Sequence, residues 1–572
     1  MAAQHLQAMD LTSLRAVLAE LRPQLVPSRF EKAQQADGQT IHLGFRTLER
    51  RLWIELSWLA EAPRLLEIPA PPKLGDGSTL AQQLQHGLSG LALTGLRQEG
   101  WERLVELEFA PRPGEPPQRS LVLELMGRHS NLFLLDQDRR VVAVARQVRE
   151  SQSRLRPIST GDIYVPPPPM GGRGPSRTES FEHWKGELQL LPLPLKRALP
   201  SAYQGVSPAL ARHLVEGLAD DLLNQPAQEL SGASWQQLWQ RWQQWLEALE
   251  EERFGFRLDE DGGYCCWADA SSNAPSTSLN AQLASYHHSR LQARTFNQRQ
   301  QALKQRLERA LERERQQQQH QQGLLDQVEN SDGLQEQADT LLCQANPSRD
   351  TISEAQKLYK KARRLRRSVA AITPRLAQHQ QQIEQLEGSL TFLELIQLEY
   401  QWNPQSGLQQ LQALEEDSER LWQRQLGNRK ERRRQQGDPT PLTLSSPRGL
   451  TIQVGRNHRQ NEWISLQQAR KGDLWFHAQE CPGSHVVLKS SVAPAEDSDL
   501  QAAASLAAHF SRARGNRQVA VVMTPCEQLQ RIPGAGPGTV RHRGGEVLWA
   551  NPESADALLR GEPLSLNGDL EP

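Results

Sequence analysis

Cysteine is scarce and scattered. Cys265, Cys266, Cys343, Cys481 and Cys526 are spread over 572 residues with no C-x-x-C pair. An odd count without such pairs argues against a disulfide framework and predicts a reducing, cytoplasmic setting. A long uncharged apolar run is also missing, so no membrane span is expected. The opening MAAQHLQAMDLTSLRAVLAEL has no basic stretch ahead of an apolar one and does not read as a signal peptide. A net charge is missing too: 66 Lys and Arg face 67 Asp and Glu. The average therefore names no partner, and local clusters have to do so. What remains, 37% hydrophobic and 23% charged residues over 572 positions, is enough for several cores.

The first part reads as an α+β domain over 1–165. Leu14, Val17, Leu18 and Leu21 share one face of a short helix, and Asp10 stands before it as a helix cap. In ERLVELEF, Val105, Leu107 and Phe109 alternate with acids as one buried and one wet face require. Residues 121–145 read as three strands joined at GRHSN and DQDRR. Two features stand out. Trp101-Glu102-Arg103 opens a strand with an acid beside a base, and Arg128-His129-Ser130-Asn131 fills a turn with polar donors. Taken alone, these are a surface ion pair and ordinary turn chemistry.

PPPPMGGRGPS (166–176) is a linker by composition. After it, over 177–255, LPLPLKRAL and PALARHLVEGL flank PSAYQGVSP as a helix-hairpin-helix. The stripe of Trp235, Trp239, Trp242, Trp245, Leu246 and Leu249 reads as core. Residues 285–436 read as a long antiparallel coiled-coil arm. Leu358, Leu365, Ile372, Leu376, Ile383, Leu386, Leu390 and Leu393 step as a/d positions do, and Asn346-Pro347-Ser348 breaks the pattern. Helices of about 45 residues, roughly 70 Å long, are expected, with a kink at Pro374. Lys360, Lys361, Arg363, Arg364, Arg366 and Arg367 crowd six unopposed positives near the tip, and NRKERRR (428–434) adds a second cluster. Like charges this close repel, and a polyanion relieves them, so RNA is the expected partner.

Residues 445–562 read as a compact α/β domain. LTIQVGRNHRQNEWIS is expected as strand, turn and loop, GDLWFHA and SHVVLK as paired strands, and 500–515 as a helix capped by its final Gly. QVAVVMT is expected as a buried strand and TVRHRGGEVLWA as a hairpin at Gly544-Gly545. KGDLWFHAQECPGSHVVLK (471–489) concentrates Asp473, Trp475, His477, Cys481, Ser484 and His485. A zinc site wants four ligands, and no fourth is near. A nucleophile wants an ordered base, but Ser484 and His485 point to opposite faces. Recognition remains: Trp475 and His477 share a strand face suited to stacking on exposed bases. Arg456, Asn457, His458, Arg459 and Asn461 add donors.

IQVGRNHRQNEWIS…KGDLWFHAQECPGSHVV resembles the signature of the NFACT RNA-binding domain. AMDLTSLRAVLAEL, ELMGRHSNLFLLD and the GWER strand are similar to the NFACT N-terminal domain. YQGVSPALARHL resembles the family's helix-hairpin-helix, and SEAQKLYKKARRLRR its coiled coil. Within the NFACT family the resemblance is to the RqcH-type ribosome quality control proteins, a group also called fibronectin-binding protein A. It implies a factor that binds large ribosomal subunits obstructed by peptidyl-tRNA. Alanyl-tRNA would be recruited there for untemplated alanine tailing, with peptide transfer left to the ribosome, no enzyme activity and no cofactor or metal. Asp10, Glu102, Arg103, Arg128, His129 and Asn131 would then touch tRNA. The six arm cations together with Arg456, Asn457, Asn461, Asp473, Trp475, His477, Ser484 and His485 would touch RNA. Arg103 matches an Asp-Arg pair of the family, but Glu102 stands for the Asp, and LQHGL (84–88) is weaker than the family's basic motif. An RNA-binding scaffold without tailing and a fibronectin-binding surface adhesin are the alternatives. The N-terminal half is also similar to formamidopyrimidine-DNA glycosylases, but Ala2 stands where their nucleophilic proline follows the initiator Met.

Overall fold

The computed structural model describes residues 6–72, 78–151, 153, 156–168, 171–218, 221–267, 278–343, 348–425, 438–532 and 536–560. The chain forms two compact units, 1–292 and 293–572. It is a mixed helix-and-sheet protein with an N-terminal sheet domain, a long helical arm and a C-terminal sheet domain.

In the first unit α1 (Leu11–Leu25) is followed by β1 (Ser28–Asp37), β2 (Thr40–Arg46), β3 (Arg51–Ser57), β4 (Arg64–Ile68), α2 (Thr79–Leu88) and β5 (Ala92–Arg97). Then come β6 (Leu104–Ala110), β7 (Arg119–Glu124), β8 (Asn131–Asp136) and β9 (Val141–Val144). The nine strands make one antiparallel sheet, ordered β4-β3-β2-β1-β5-β6-β7-β8-β9. One face buries Phe30, Phe45, Leu107 and Phe109 against Leu14, Val17 and Leu21 of α1. Asp10 caps α1 through a reciprocal box with Ser13, as its position predicts.

A helical layer follows: α3 (Phe181–Gln189), α4 (Leu195–Ala202), α5 (Pro208–Val215) and α6 (Gly232–Glu250), then the short ribbon β10 (Arg257–Leu258) and β11 (Tyr264–Cys265). The α4–α5 pair is the expected helix-hairpin-helix. Trp235, Trp242 and Trp245 are buried beneath it and Trp239 packs beside them, so the tryptophan stripe is core.

Next come α7 (Leu279–Leu342), α8 (Arg349–Trp402) and α9 (Pro404–Gln425). The Glu20 carboxylate accepts the N–H groups of Leu279 (2.8 Å) and Asn280 (2.9 Å), placing a negative charge at the start of α7, where the helix dipole favours it. Across the arm Arg315 pairs with Glu387 (2.6 Å), Gln318 with Gln380 (2.8 Å) and Arg366 with Asp332 (2.6 Å). Each step up α7 is matched by a step down α8, the register of an antiparallel hairpin. Ile372, Ile383, Leu386 and Leu393 are buried in the seam. At 64 and 54 residues these helices exceed the expected 45. The seam pattern stops short of both ends, where α7 starts in the first unit's core and α8 runs on into the C-terminal core. α8 continues through Pro374. Ser348 caps it, accepting the Thr351 N–H at 3.1 Å. Asn346, Pro347 and the NRKERRR cluster lie outside the described residues.

The C-terminal sheet combines β12 (Leu442–Ser445), β13 (Thr451–Val454), β14 (Leu474–Ala478), β15 (Val486–Leu488), β16 (Val519–Pro525) and β19 (Glu546–Ala550). Their order is β12-β13-β15-β14-β16-β19. A separate ribbon pairs β17 (Leu529–Arg531) with β18 (Val540–His542). Helices α10 (His458–Glu462), α11 (Asp497–His509) and α12 (Ala555–Arg560) complete it. Three expectations are corrected. The expected loop after β13 is α10, capped by Asn457, whose side chain accepts the Gln460 N–H at 2.8 Å. α11 ends at His509 rather than at Gly515, because the Phe510 carbonyl is taken by the Ser484 N–H at 2.8 Å. The expected hairpin at Gly544-Gly545 does not form: β18 joins β17, and β19 joins β16. Val540 packs with the cluster of Trp475, Cys526 and Leu529, whereas Leu548 and Ala550 belong to the α11 core, so the two halves serve different layers. Positive φ at both glycines (73° and 132°) lets the chain change layer.

Candidate nucleic-acid interface

In the first unit the N-terminal motifs converge at one end of β6–β8. The Arg103 carbonyl accepts the Leu125 N–H at 2.9 Å, just before the Arg128 turn. Asp10 Oδ1 accepts the Ser13 N–H (2.9 Å), and its Oδ2 accepts the hydroxyl of Ser207 (2.7 Å), itself the cap of α5. One carboxylate thus ties α1 to the helix-hairpin-helix turn. Gly205 in that turn has φ +75°, and a Cβ there would come within 2.6 Å of Leu11 and 3.1 Å of Trp101. Arg103 is half-buried, donates to the Met9 carbonyl (3.4 Å), and lies in the field of Asp10 and Glu102. Burial is the largest influence on its guanidinium and lowers its pKa, while the two carboxylates oppose it.

The turn itself divides by role. Asn131 is buried and bridges strands, accepting the Leu132 and Arg146 N–H groups (both 3.0 Å) and donating to the Arg146 carbonyl (2.7 Å). Arg128 and His129 are exposed and touch each other at 3.0 Å. They are the donors this corner can offer to a phosphate.

On the arm, Lys360, Lys361, Arg363, Arg364, Arg366 and Arg367 all face solvent, while Ala362 between them is buried in the seam. Among the described residues only Arg366 of the six has an ion pair, to Asp332. The stripe is therefore a largely uncompensated cationic surface.

In the C-terminal domain the signature residues build the sheet's second face. Asn461 Oδ1 accepts the His485 N–H (3.1 Å). Asp473 accepts the Arg470 N–H (2.8 Å) and the Ser491 N–H and Lys489 ammonium (both 3.2 Å). Burial alone would raise its pKa, but these bonds and the ammonium hold it below the usual carboxylate range. Arg456 pairs with Glu399, and His458 reaches the Gln385 carbonyl at 3.0 Å, both in the arm's base. Ser484 is fully buried, and its hydroxyl finds no partner among the described atoms. Its N–H faces the α11 side, whereas His485 lies on the other face, as period two requires.

Trp475 and His477 share that face, as period two requires, but their rings stack on each other, 5.5 Å apart at 8°. His485 meets both rings edge-on at 5.1 and 5.4 Å, and His542 closes the group 5.9 Å from the indole. Ser465 Oγ sits 2.8 Å from His485 Nδ1. Burial pushes His477 down to about 4 and His485 well below its ordinary value, so both are neutral at pH 7. Trp475 itself is only 3% exposed and presents no free ring face. It is roofed by Ile464, Leu529 and Val540.

That roof covers half of the face. The register continues from His477 to Val522 to Val547, and from Ala520 to Trp549. Val547 is 48% exposed and Trp549 is 65% exposed. Neither is a residue that sequence reasoning selected. The alternation in EVLWA was available, but reading it as half of a hairpin hid which face it shares. A cavity of about 310 Å³ beside α10 was also missed. It is lined by Asp417, Arg420, Arg459 and Glu462, and burial raises Asp417 to about 6. Among the described residues no three His, Cys, Asp or Glu side chains converge as metal ligands, and no helix is long and apolar enough to cross a membrane.

Residues 10–349 match the NFACT N-terminal and middle domains, and residues 442–544 match the NFACT protein RNA binding domain. The chain is 26% identical to the Rqc2 homolog RqcH of Streptococcus pneumoniae, covering 95% of this chain and 97% of that one. It is 24% identical to the Rqc2 homolog RqcH of Bacillus subtilis, covering 83% and 86%. Among solved structures it is similar to the C-terminal part of the fibronectin/fibrinogen-binding protein of Streptococcus suis. Identity there is 28% and the TM-score 0.37, over 46% of this chain and 98% of that one. The N-terminal part of the same protein gives 21% and 0.39, over 49% and 99%.

Proposed function

The chain belongs to the NFACT family, and from that premise we propose that it is a ribosome quality control factor. It binds large ribosomal subunits obstructed by peptidyl-tRNA. There it recruits tRNA, alanyl-tRNA by the resemblance, so that the stalled chain gains untemplated C-terminal alanines. The ribosome performs peptide transfer, so the chain itself is not an enzyme. The observation that carries the reading is end-to-end order: the match to the N-terminal and middle domains runs through α7 of the arm and the RNA-binding match follows α8 and α9, over a length shared with relatives named Rqc2 homolog. The geometry supports it with an exposed cationic stripe on the arm and with Arg128 and His129 at the corner beside Arg103.

Glu102 favours one second reading, a subunit-binding scaffold that does not tail. Its carboxylate sits one methylene farther from the backbone than the family's Asp, beside a half-buried Arg103. The test is a pull-down of tagged protein with sequencing of bound RNA and mass analysis of attached nascent chains. Large-subunit rRNA with one enriched tRNA and alanine-extended chains is the expected result. Subunits without an enriched tRNA favour the scaffold. Absence of ribosomal RNA overturns both.

A further inference from the structure

Half of the second face of the C-terminal sheet is roofed and half is bare. The bare half is centred on β19, whose residues lie just past the stretch matching the RNA binding domain. We propose that Trp549 is a stacking platform for one unpaired base of a single-stranded RNA. This rests on the RNA-binding reading above and names the residue that would grip the base.

Four observations carry it. The indole is 65% exposed although it stands inside a regular strand, paired through β16 from Val519 to Met523. A large aromatic left in water on a rigid element is an unused contact surface. Directly opposite it is Ala520, whose small side chain leaves the flank of the ring open, and Val547 extends the apolar floor by one position. The backbone beneath is fixed, because Gln501 Nε2 donates to the Trp549 carbonyl at 3.0 Å. Cations flank the floor at both ends, and Glu546, the acid within β19, pairs with Met523 and so belongs to the opposite face. Arg517 precedes β16 at the Trp549 end, while Arg541 and Arg543 precede β19 at the other. All three are exposed, and none forms an ion pair among the described residues. A π face between cations matches a base between phosphates. An apolar peptide laid on the same floor would leave those arginines unanswered.

The test uses the full chain, W549L and W549F. W549L keeps apolar bulk without a π face, and W549F keeps a ring. Affinity for a fluorescently labelled single-stranded RNA decamer and for a duplex of equal length is read by anisotropy over a salt series, with melting as the folding control. W549L is expected to bind the single strand about tenfold more weakly, within the range of one base–aromatic stack. W549F should recover most of the loss, the salt slope should stay unchanged because no phosphate contact is removed, and duplex binding should not move. Equal single-strand affinity for W549L and the parent overturns the inference. So does an equal loss on single strand and duplex, or loss only of a protein partner. Co-sedimentation with large subunits runs in parallel. Failure of the parent to sediment sinks the ribosome reading while a Trp549-dependent RNA grip still stands. Sedimentation with no Trp549 dependence on RNA sinks this inference alone.

Discussion

His213 in the helix-hairpin-helix and His485 in the C-terminal sheet are buried and His477 beside it is half-buried, yet the molecule holds the first and the other two in opposite states. His213 Nε2 lies 2.8 Å from Asp259. Burial alone would lower its pKa, but hydrogen bonds to Cys265 and Asp259 outweigh it and hold the imidazolium up to about 9. The C-terminal pair faces an indole, another imidazole and a serine hydroxyl, with no carboxylate among the described residues bonded to either ring, so burial prevails and the rings stay neutral. Enclosure alone decides neither state; what faces the ring does. A charged histidine can clamp helix to ribbon, as His213 on α5 clamps Asp259 beside β10. A neutral one can stack, as His477 does on Trp475.

Removing the carboxylate breaks the comparison most sharply. Asp259→Ala strands a buried imidazolium and is expected to destabilise the α5–ribbon region by about 3 kcal/mol at pH 7. Native-state hydrogen exchange of residues 208–215 reads it, and unchanged protection would refute the clamp. The pH responses come next. A folded pKa raised above the unfolded one gives stability that is full below about 6.5 and lost as pH rises through about 9, so the His213 region weakens on the alkaline side. For His458 and His477, both lowered to about 4, stability is full above 6.5 and lost as pH falls toward 4. Each is expected to contribute a loss of up to about 2 kcal/mol at pH 5. Exchange in β14 and α10, corrected for intrinsic rates, should therefore fall in protection where α5 does not. His287, fully buried in the first unit and lowered to about 3, adds an acid limb there at α7. Smaller again is Ser465→Ala, which removes the hydroxyl bonded to His485 and should cost about 1 kcal/mol with no new pH dependence. The arm supplies the limiting case, with charges in water. Arg366→Ala should change stability by less than about 1 kcal/mol. Exchanging Lys360, Arg363, Arg364 and Arg367 for Gln should leave melting unchanged while flattening the salt dependence of RNA binding by about 0.7–0.9 per lost contact.

Periodicity made the large features legible. The Leu358–Leu393 ladder specified the hairpin, Trp235–Trp245 the buried stripe, and Trp475 with His477 the shared strand face. What stayed hidden depended on contacts distant in sequence. Ser484 stops α11 through the Phe510 carbonyl, and no local signal at Gly515 reports that. Val540 and Leu548 both read as apolar strand residues, yet they belong to opposite layers. In the site, Asn457 and Asn461 spend their side-chain oxygens on backbone N–H groups, and Asp473 accepts backbone N–H groups and the Lys489 ammonium. Trp549 was overlooked because exposure is a property of the finished sheet.

The matched stepping of α7 against α8 makes the arm a ruler that can be cut only in pairs. Loss of one heptad from either strand alone would slide every later seam residue past its partner, so length can change only when both strands lose or gain together. Each such paired edit would move the cationic tip by about 10.5 Å, two helical turns, while leaving both sheet domains untouched. The distance between base and tip can thus vary in fixed increments among otherwise similar chains, independently of the surfaces at its two ends.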